Sequence, residues 1–308
     1  MSGAAGAVLQ PGRTVENPSS VSALGVAHRS VVYAVRETRD LKRCAYVALW
    51  DTAGRGLWRL GSSTTRICTE GLSTGSGISQ VATSGRRVFW VTYAGGNFRD
   101  ETLWTATPTR STPRRLADAT SDVDADARPI VLGPGTVEGV PYATGRTVTF
   151  VADNGARLFR VTLPSEVRLL AAGAGPGAAK VVASLADGSV VMLSRTGATL
   201  RTSTYEPGSV TAVTLALPGS IVQAGTTIHV GSRAVTLPSG AAMLDFRQGQ
   251  IVYAKGSRVR ARHVASGADS LLRVIPVRSW ETPLFATDAW GSAWASGSSV
   301  SWRSGPLG

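Results

Sequence analysis

Residues 78–116 read ISQVATSGRRVFWVTYAGGNFRDETLWTATPTRSTPRRL, and this stretch decides the fold. Residues 78–84 are mixed, small and apolar. Ser84-Gly85-Arg86 signals a turn, because glycine takes positive φ without a Cβ clash. Val88-Phe89-Trp90-Val91-Thr92-Tyr93 is β-branched and aromatic throughout, which suits a pleated, packed surface. Gly95-Gly96-Asn97 interrupts it. Leu103-Trp104-Thr105-Ala106-Thr107 predicts a third strand, and Pro108 ends it because proline has no N–H for the ladder. Arg114-Arg115-Leu116 closes a short fourth. The unit is four strands in sequence, A to D.

The rest of the chain repeats it. A strands are expected to open near Ser22, Ser79, Glu138, Val181, Ile221, Ala242 and Leu284. B strands are expected at 31–35, 88–93, 148–152, 190–194, 227–231, 251–255 and 292–296, with C–D hairpins at 49–60, 103–116, 158–170 and 262–272. The repeats so defined are 21–61, 78–116, 137–171, 180–217, 220–239, 241–275 and 283–303. A four-stranded sheet that is apolar on both faces cannot bury them alone, and a repeat of about 40 residues that closes into a ring is a β-propeller. The expectation is an all-β protein, a single propeller domain over residues 1–308 with seven blades, or six if the short fifth repeat merges with its neighbour. The last repeat lacks a D strand after Trp302, and the segment 7–15 has no place of its own. It is expected to supply that outer strand, closing the ring and removing an open edge. Pro11 is compatible with an outermost strand.

The repeat resembles that of TolB-like propellers, in the broader WD40-like class. The resemblance rests on Ala82-Thr83-Ser84-Gly85-Arg86-Arg87-Val88-Phe89-Trp90-Val91, then on Leu103-Trp104-Thr105-Ala106 and Pro113-Arg114-Arg115-Leu116. The Pro-Asp pair of the family's turn is absent there, with Asp187-Gly188 the nearest match, and Trp50-Asp51 is an isolated instance of the WD40 dipeptide. What the resemblance implies is binding and scaffolding rather than one defined activity.

Composition bounds the possibilities. The chain has 308 residues, 43% hydrophobic and 17% charged, and 35 glycines, with no long amphipathic helical stripe. It is long enough to fold without disulfides or metals. The net charge of +12 comes almost wholly from arginine, since only Lys42, Lys180 and Lys255 are lysines. Those arginines are scattered rather than gathered into a stripe, which argues against nucleic acid as the partner. Cys44 and Cys68 read either as buried thiols or as a disulfide candidate that would imply an oxidising compartment. No stretch approaches the roughly 20 apolar residues of a membrane span. The opening MSGAAGAVLQPG lacks the basic and apolar regions of an intact signal peptide. The compartment is left open, and the reading favoured is a secreted or cell-envelope protein whose export signal is absent from this chain.

Up-and-down strand order puts the A–B and C–D turns on one side of the ring and the B–C and D–A connections on the other. The long connections are the D–A segments 61–77 and 117–136, the shorter 275–282, and the B–C segments 36–43 and 94–102. All belong to the second side, and long loops on a rigid scaffold commonly carry function. Arg36, Arg39, Asp40 and Arg43 in one B–C segment, with Asn97, Phe98, Arg99 and Asp100 in the other, are the candidate binding residues. Mixed charge with an aromatic suits recognition of a protein or a cell-envelope glycan.

Catalytic patterns are weak. Asp122-Val123-Asp124-Ala125-Asp126 begins like a calcium loop, but Ala127 and Gly133 stand where glycine and glutamate are required, so no metal site is assigned. His28, His229 and His263 share no ligand spacing, and no nucleotide-binding motif occurs, so no cofactor is expected. Glu138 and Glu281 each precede or open an expected inner strand, and they define the enzymatic alternative, a hydrolase or lyase acting on an anionic polysaccharide at the channel mouth. Trp280, Trp290, Trp294 and Trp302 read as core of the closing blade or as a sugar platform. The leading expectation is a non-catalytic binding scaffold working through the side of the long connections.

Overall fold

The computed structural model describes residues 12–36, 45–53, 56–60, 76–95, 98–122, 128–173, 175, 179–217, 219–278 and 281–307. Among them the strands form seven four-stranded antiparallel sheets. The first strand, β1 (Arg13–Glu16), belongs to the last sheet. Blade 1 is β2 (Val21–Ala27), β3 (Ser30–Val35), β4 (Tyr46–Asp51) and β5 (Gly56–Leu60). Blade 2 is β6 (Ser76–Thr83), β7 (Val88–Gly95), β8 (Phe98–Thr107) and β9 (Arg110–Asp122). Blade 3 is β10 (Ile130–Leu132), β11 (Gly139–Thr144), β12 (Thr147–Ala152) and β13 (Arg157–Thr162). Blade 4 is β14 (Val167–Ala172), β15 (Ala179–Leu185), β16 (Ser189–Ser194) and β17 (Thr199–Thr204). Blade 5 is β18 (Val210–Ala216), β19 (Gly219–Ala224), β20 (Thr227–Val230) and β21 (Arg233–Thr236). Blade 6 is β22 (Ala242–Arg247), β23 (Gln250–Lys255), β24 (Arg258–His263) and β25 (Asp269–Val274). Blade 7 is β26 (Phe285–Asp288), β27 (Gly291–Ser296) and β28 (Ser299–Ser304), with β1 outermost. The first strands of the blades, from β2 to β26, touch one another around a central channel.

The protein is therefore an all-β, seven-bladed propeller closed by its N-terminal strand. That strand pairs Arg13 with Trp302 through to Glu16 with Ser299. The expected closing segment 7–15 is met by Arg13–Val15, while residues 7–11 lie outside the described residues. The fifth repeat is a full blade, because β18 supplies the strand that its short sequence lacked.

Burial explains why the units come as a ring. Each second strand is apolar at consecutive positions rather than alternating; every residue of β3 is buried. Both faces of that strand meet a neighbouring blade. The buried side chains accordingly fall into seven clusters, one at each seam between adjacent blades. Trp294 joins blades 6 and 7, and Trp302 joins blades 7 and 1, so both are core. The inner strands approach so closely that some positions admit only glycine. A Cβ on Gly173, after β14, would sit 2.0 Å from the Leu215 carbonyl oxygen on β18.

The repeat phase expected for blades 3 to 5 is corrected. The strands expected as A at Glu138, Val181 and Ile221 are second strands, β11, β15 and β19. The inner strands are β10, β14 and β18, so the expected boundaries 137–171, 180–217 and 220–239 each start one strand late. Residues 158–170, expected as a C–D hairpin, are instead β13 and β14, which do not pair; the four residues between them step from one blade to the next. A short connection reads the same in sequence whether the chain folds back on itself or moves on. The slip began at β10, three residues between Pro129 and Gly133 that read as loop.

Candidate functional site

Blade 2 extends beyond its neighbours. β7 and β8 pair from Val88 and Ala106 out to Gly95 and Arg99, and β9 follows β8 out to Asp122 opposite Phe98. The expected B–C loop 94–102 is thus mostly strand, and the expected D–A connection 117–136 is strand up to Asp122 and again at β10. The polarity that suggested a loop is satisfied across the ladder. Thr120 donates to the Asp100 carboxylate at 2.7 Å, and Thr102 donates to Asp118 at 2.9 Å. The ends that flank 37–44, 61–75 and 123–127 emerge on the same side of the ring as this extension, by strand order.

Alternation along β8 puts Arg99 and Glu101 on the opposite face from Asp100 and Thr102. The Glu101 side chain is fully buried. Its Oε1 accepts Arg99 Nε at 2.8 Å, and its Oε2 accepts the Ile130 N–H at 3.0 Å, tying the extension to the inner strand of blade 3. The Arg99 guanidinium lies 4.5 Å from the centre of the Tyr93 ring, on the paired strand. Tyr93 in turn lies against Gly77, where a Cβ would meet its ring at 3.0 Å. Arg99 is therefore held from both sides, by a carboxylate and by an aromatic face.

These groups wall a cleft of about 530 Å³ between blades 1, 2 and 3, lined by Arg36, Tyr93, Arg99 and Arg128 together with Ser22, Ser76 and Ser79. It shares Ser22, Ser79 and Arg128 with the central channel, so it opens onto that channel. Neither Arg36 nor Arg128 makes a side-chain hydrogen bond or ion pair among the described residues. Arg128 is exposed as a residue, yet desolvation of its guanidinium, and then the Arg99 charge, lower its pKa from the ordinary arginine value, with Glu101 opposing. The Ser79 hydroxyl is buried without a hydrogen-bond partner among the described residues.

Of the residues expected to bind, Arg36 and Arg99 meet in this cleft. Asp100 faces away from it and holds Thr120. Phe98 opens β8, paired with Asp122. Arg39, Asp40, Arg43 and Asn97 lie outside the described residues, as do Cys44 and Cys68 of the disulfide candidate and most of the acidic stretch after Asp122. Tyr93, Ser79 and Arg128 were not expected. They come from three other segments, and only the fold brings them to Arg36 and Arg99.

The channel itself holds about 940 Å³. Asp245 lines it with a fifth of its side chain exposed, accepting a hydrogen bond from Thr287 beside Arg247 at 3.5 Å. Desolvation raises the Asp245 pKa above the usual carboxylate value, and Arg247 and Thr287 hold that rise in check. At the A–B end, Val137, Leu217 and Trp290 are exposed apolar side chains around the channel mouth. His28 and Arg29 there take φ of 50° and 62°, unusual for residues other than glycine. Asp288 accepts the Arg29 N–H at 3.0 Å, and the Arg29 side chain covers Trp290 at 4.3 Å, which holds the turn across the closing seam.

The carboxylate pair of the enzymatic alternative does not assemble. Glu138 follows β10 at the A–B end and accepts Lys180 at 2.7 Å, whereas Glu281 precedes β26 at the other end of the ring. Two carboxylates acting on one glycosidic bond must flank it within about 10 Å. The cause is the phase of blade 3, which moves Glu138 from the start of an inner strand to its far end.

No family model and no curated protein matches the chain. Solved structures do. Sqt1 of Saccharomyces cerevisiae matches with a TM-score of 0.51 at 10% identity, over 95% of this chain and 98% of that one. The Cps50 (Swd1) β-propeller domain of Myceliophteria thermophila matches with a TM-score of 0.52 at 14% identity, over 96% and 99%. Raptor of Chaetomium thermophilum matches with a TM-score of 0.55 at 13% identity, over 95% of this chain and 29% of that one. At such identities the likeness defines the fold alone, and that fold is the seven-bladed β-propeller. No helix among the described residues is long and apolar enough to cross a membrane.

Proposed function

We propose that the protein is a non-catalytic binding scaffold that takes a protein partner on the side of its B–C and D–A connections. The observation that carries this reading is the cleft between blades 1, 2 and 3, where Arg36 and Arg128 have no side-chain partner among the described residues and stand beside a projecting three-stranded extension. Maintaining unpaired cations beside one another is unfavourable for the free protein, and a partner with complementary charge relieves it. A glycan is the weaker alternative: sugar recognition needs an open aromatic face, and Arg99 covers the one that Tyr93 offers to the cleft. Kinship with TolB-like propellers rests on the residues of the second repeat.

The extension can be cut back without touching the blade. Replacing residues 94–100 by an Asn-Gly turn, together with Glu101→Gln so that no buried carboxylate is left without Arg99, keeps Tyr93 paired with position 101 and ends the hairpin there. Affinity purification from the native source, quantified by mass spectrometry, is expected to recover a specific protein with the wild type and to lose it with the shortened variant. Equal recovery of every partner would sink the assignment of this side.

A further inference from the structure

We propose that the cleft formed by Arg36, Arg99, Arg128 and Ser79 binds a phosphomonoester dianion. The inference rests on the reading that this side of the ring is the binding side, and it names the chemistry that the side selects. Among the described residues, three guanidinium charges face one carboxylate, Glu101, and both oxygens of that carboxylate are already engaged. Two positive charges are left unmatched. A phosphomonoester carries about −1.5 to −2 at neutral pH, whereas a carboxylate would match only one of them.

The donors suit the same group. Arg99 uses one N–H on Glu101 and is fixed by Tyr93, so it has donors to spare in a set position. Arg36 and Arg128 present whole guanidinium forks, whose planar N–H pairs fit phosphate oxygens bidentately. The buried Ser79 hydroxyl has no partner among the described residues, and a buried polar group in that state calls for one from outside. At about 530 Å³ the cleft has room for the phosphate and the atoms attached to it.

The other arginine cluster of blade 2 makes the contrast. Arg87 and Arg114 lie near each other at the opposite end of the blade, but Arg87 donates to the Asp153 carbonyl at 2.8 Å and Arg114 to the Gly155 carbonyl at 3.5 Å. Those arginines stitch blade 2 to blade 3. In the cleft, Arg99 is tied to Glu101, whereas Arg36 and Arg128 make no side-chain bond to a neighbouring blade among the described residues.

Isothermal titration calorimetry tests the inference with three probes: inorganic phosphate, the peptide Gly-Gly-pSer-Gly-Gly, and Gly-Gly-Glu-Gly-Gly. Phosphate is expected to bind saturably to the wild type and about tenfold or more weakly to Arg36→Gln and to Arg128→Gln, with exposed Arg233→Gln as an unaffected control. Tighter binding of the phosphoserine peptide assigns the phosphate to a polypeptide, and equal binding assigns it to a free phosphate; either supports the proposal. Absence of saturable binding, wild-type affinity in both cleft variants, or a glutamate peptide that binds as well as the phosphoserine peptide overturns it. The last two results leave the cleft a binding site for something else. A protein partner captured on this side by a chain that ignores phosphate would retain the proposed function and remove this inference alone.

Discussion

Trp294→Ala is expected to lower the unfolding free energy by about 3–5 kcal/mol, read from urea denaturation. Trp294 is among the largest side chains that the fold buries fully. Its ring stacks on Phe285 of the neighbouring strand, with centroids 6.4 Å apart and planes 14° apart. Val252, Val259, Ala261, Leu272 and Ile275 of blade 6 complete its surroundings. Truncation removes the transfer free energy of an indole and leaves a cavity at a seam that β-strands cannot close by sliding. Trp290 is the control, since it is exposed and its main contacts are Arg29 and His28. Trp290→Ala is expected to cost about 1 kcal/mol or less. Similar losses for the two variants would mean that the seam between blades 6 and 7 is not packed as described.

Glu101→Ala is the second large effect, about 3 kcal/mol. The substitution strips the Ile130 N–H of its acceptor and leaves Arg99 without its carboxylate. Breaking a buried ion pair from one side costs more than the pair itself contributes, because the remaining group stays desolvated. Arg99 is one-third exposed and can turn to water, which puts the figure at the low end of the range for fully buried pairs. Glu101→Gln retains an acceptor for Ile130 and is expected to cost about half as much. The double variant Arg99→Ala with Glu101→Ala separates the terms: a coupling well below the single Glu101→Ala loss would assign most of the cost to the orphaned N–H of Ile130. A loss within about 0.5 kcal/mol for Glu101→Ala would show that the extension is not anchored to blade 3.

The sequence made some of this legible and hid the rest for physical reasons. Blades 1, 2, 6 and 7 were readable because their second strands, such as Val88–Tyr93 and Ile251–Lys255, are apolar runs followed or preceded by glycine turns. Seven blades were readable by counting such runs, and the closing strand by the lack of a partner after Trp302. Blades 3 to 5 lost their phase because the inner strands β10, β14 and β18 are partly exposed to the channel and lack that signature. The error had a functional consequence, since it set Glu138 at the wrong end of the ring.

The site followed the same division. Arg36 and Arg99 stood out as charges beside strand ends that share one side by topology alone. Glu101 looked like one more solvated acid of a loop, because nothing in its local sequence announces that Ile130, 29 residues on, presents an N–H to it. Arg128 sits in a stretch that reads as an insertion, and Ser79 opens an expected A strand with nothing local to mark it as a binding residue. Burial and long-range hydrogen bonding made the difference, and neither has a local pattern.

The claim that the protein works as a binding scaffold through the side of its long connections is tested most directly by site-specific photo-cross-linking in the native source. A benzophenone side chain is placed at Ala94, exposed on the extension of blade 2, and in a separate variant at Leu217, exposed at the opposite mouth of the channel. A discrete adduct with a protein partner is expected from position 94 and none from position 217. An adduct from position 217 with none from position 94 would contradict it and move the working surface to the apolar mouth around Val137, Leu217 and Trp290.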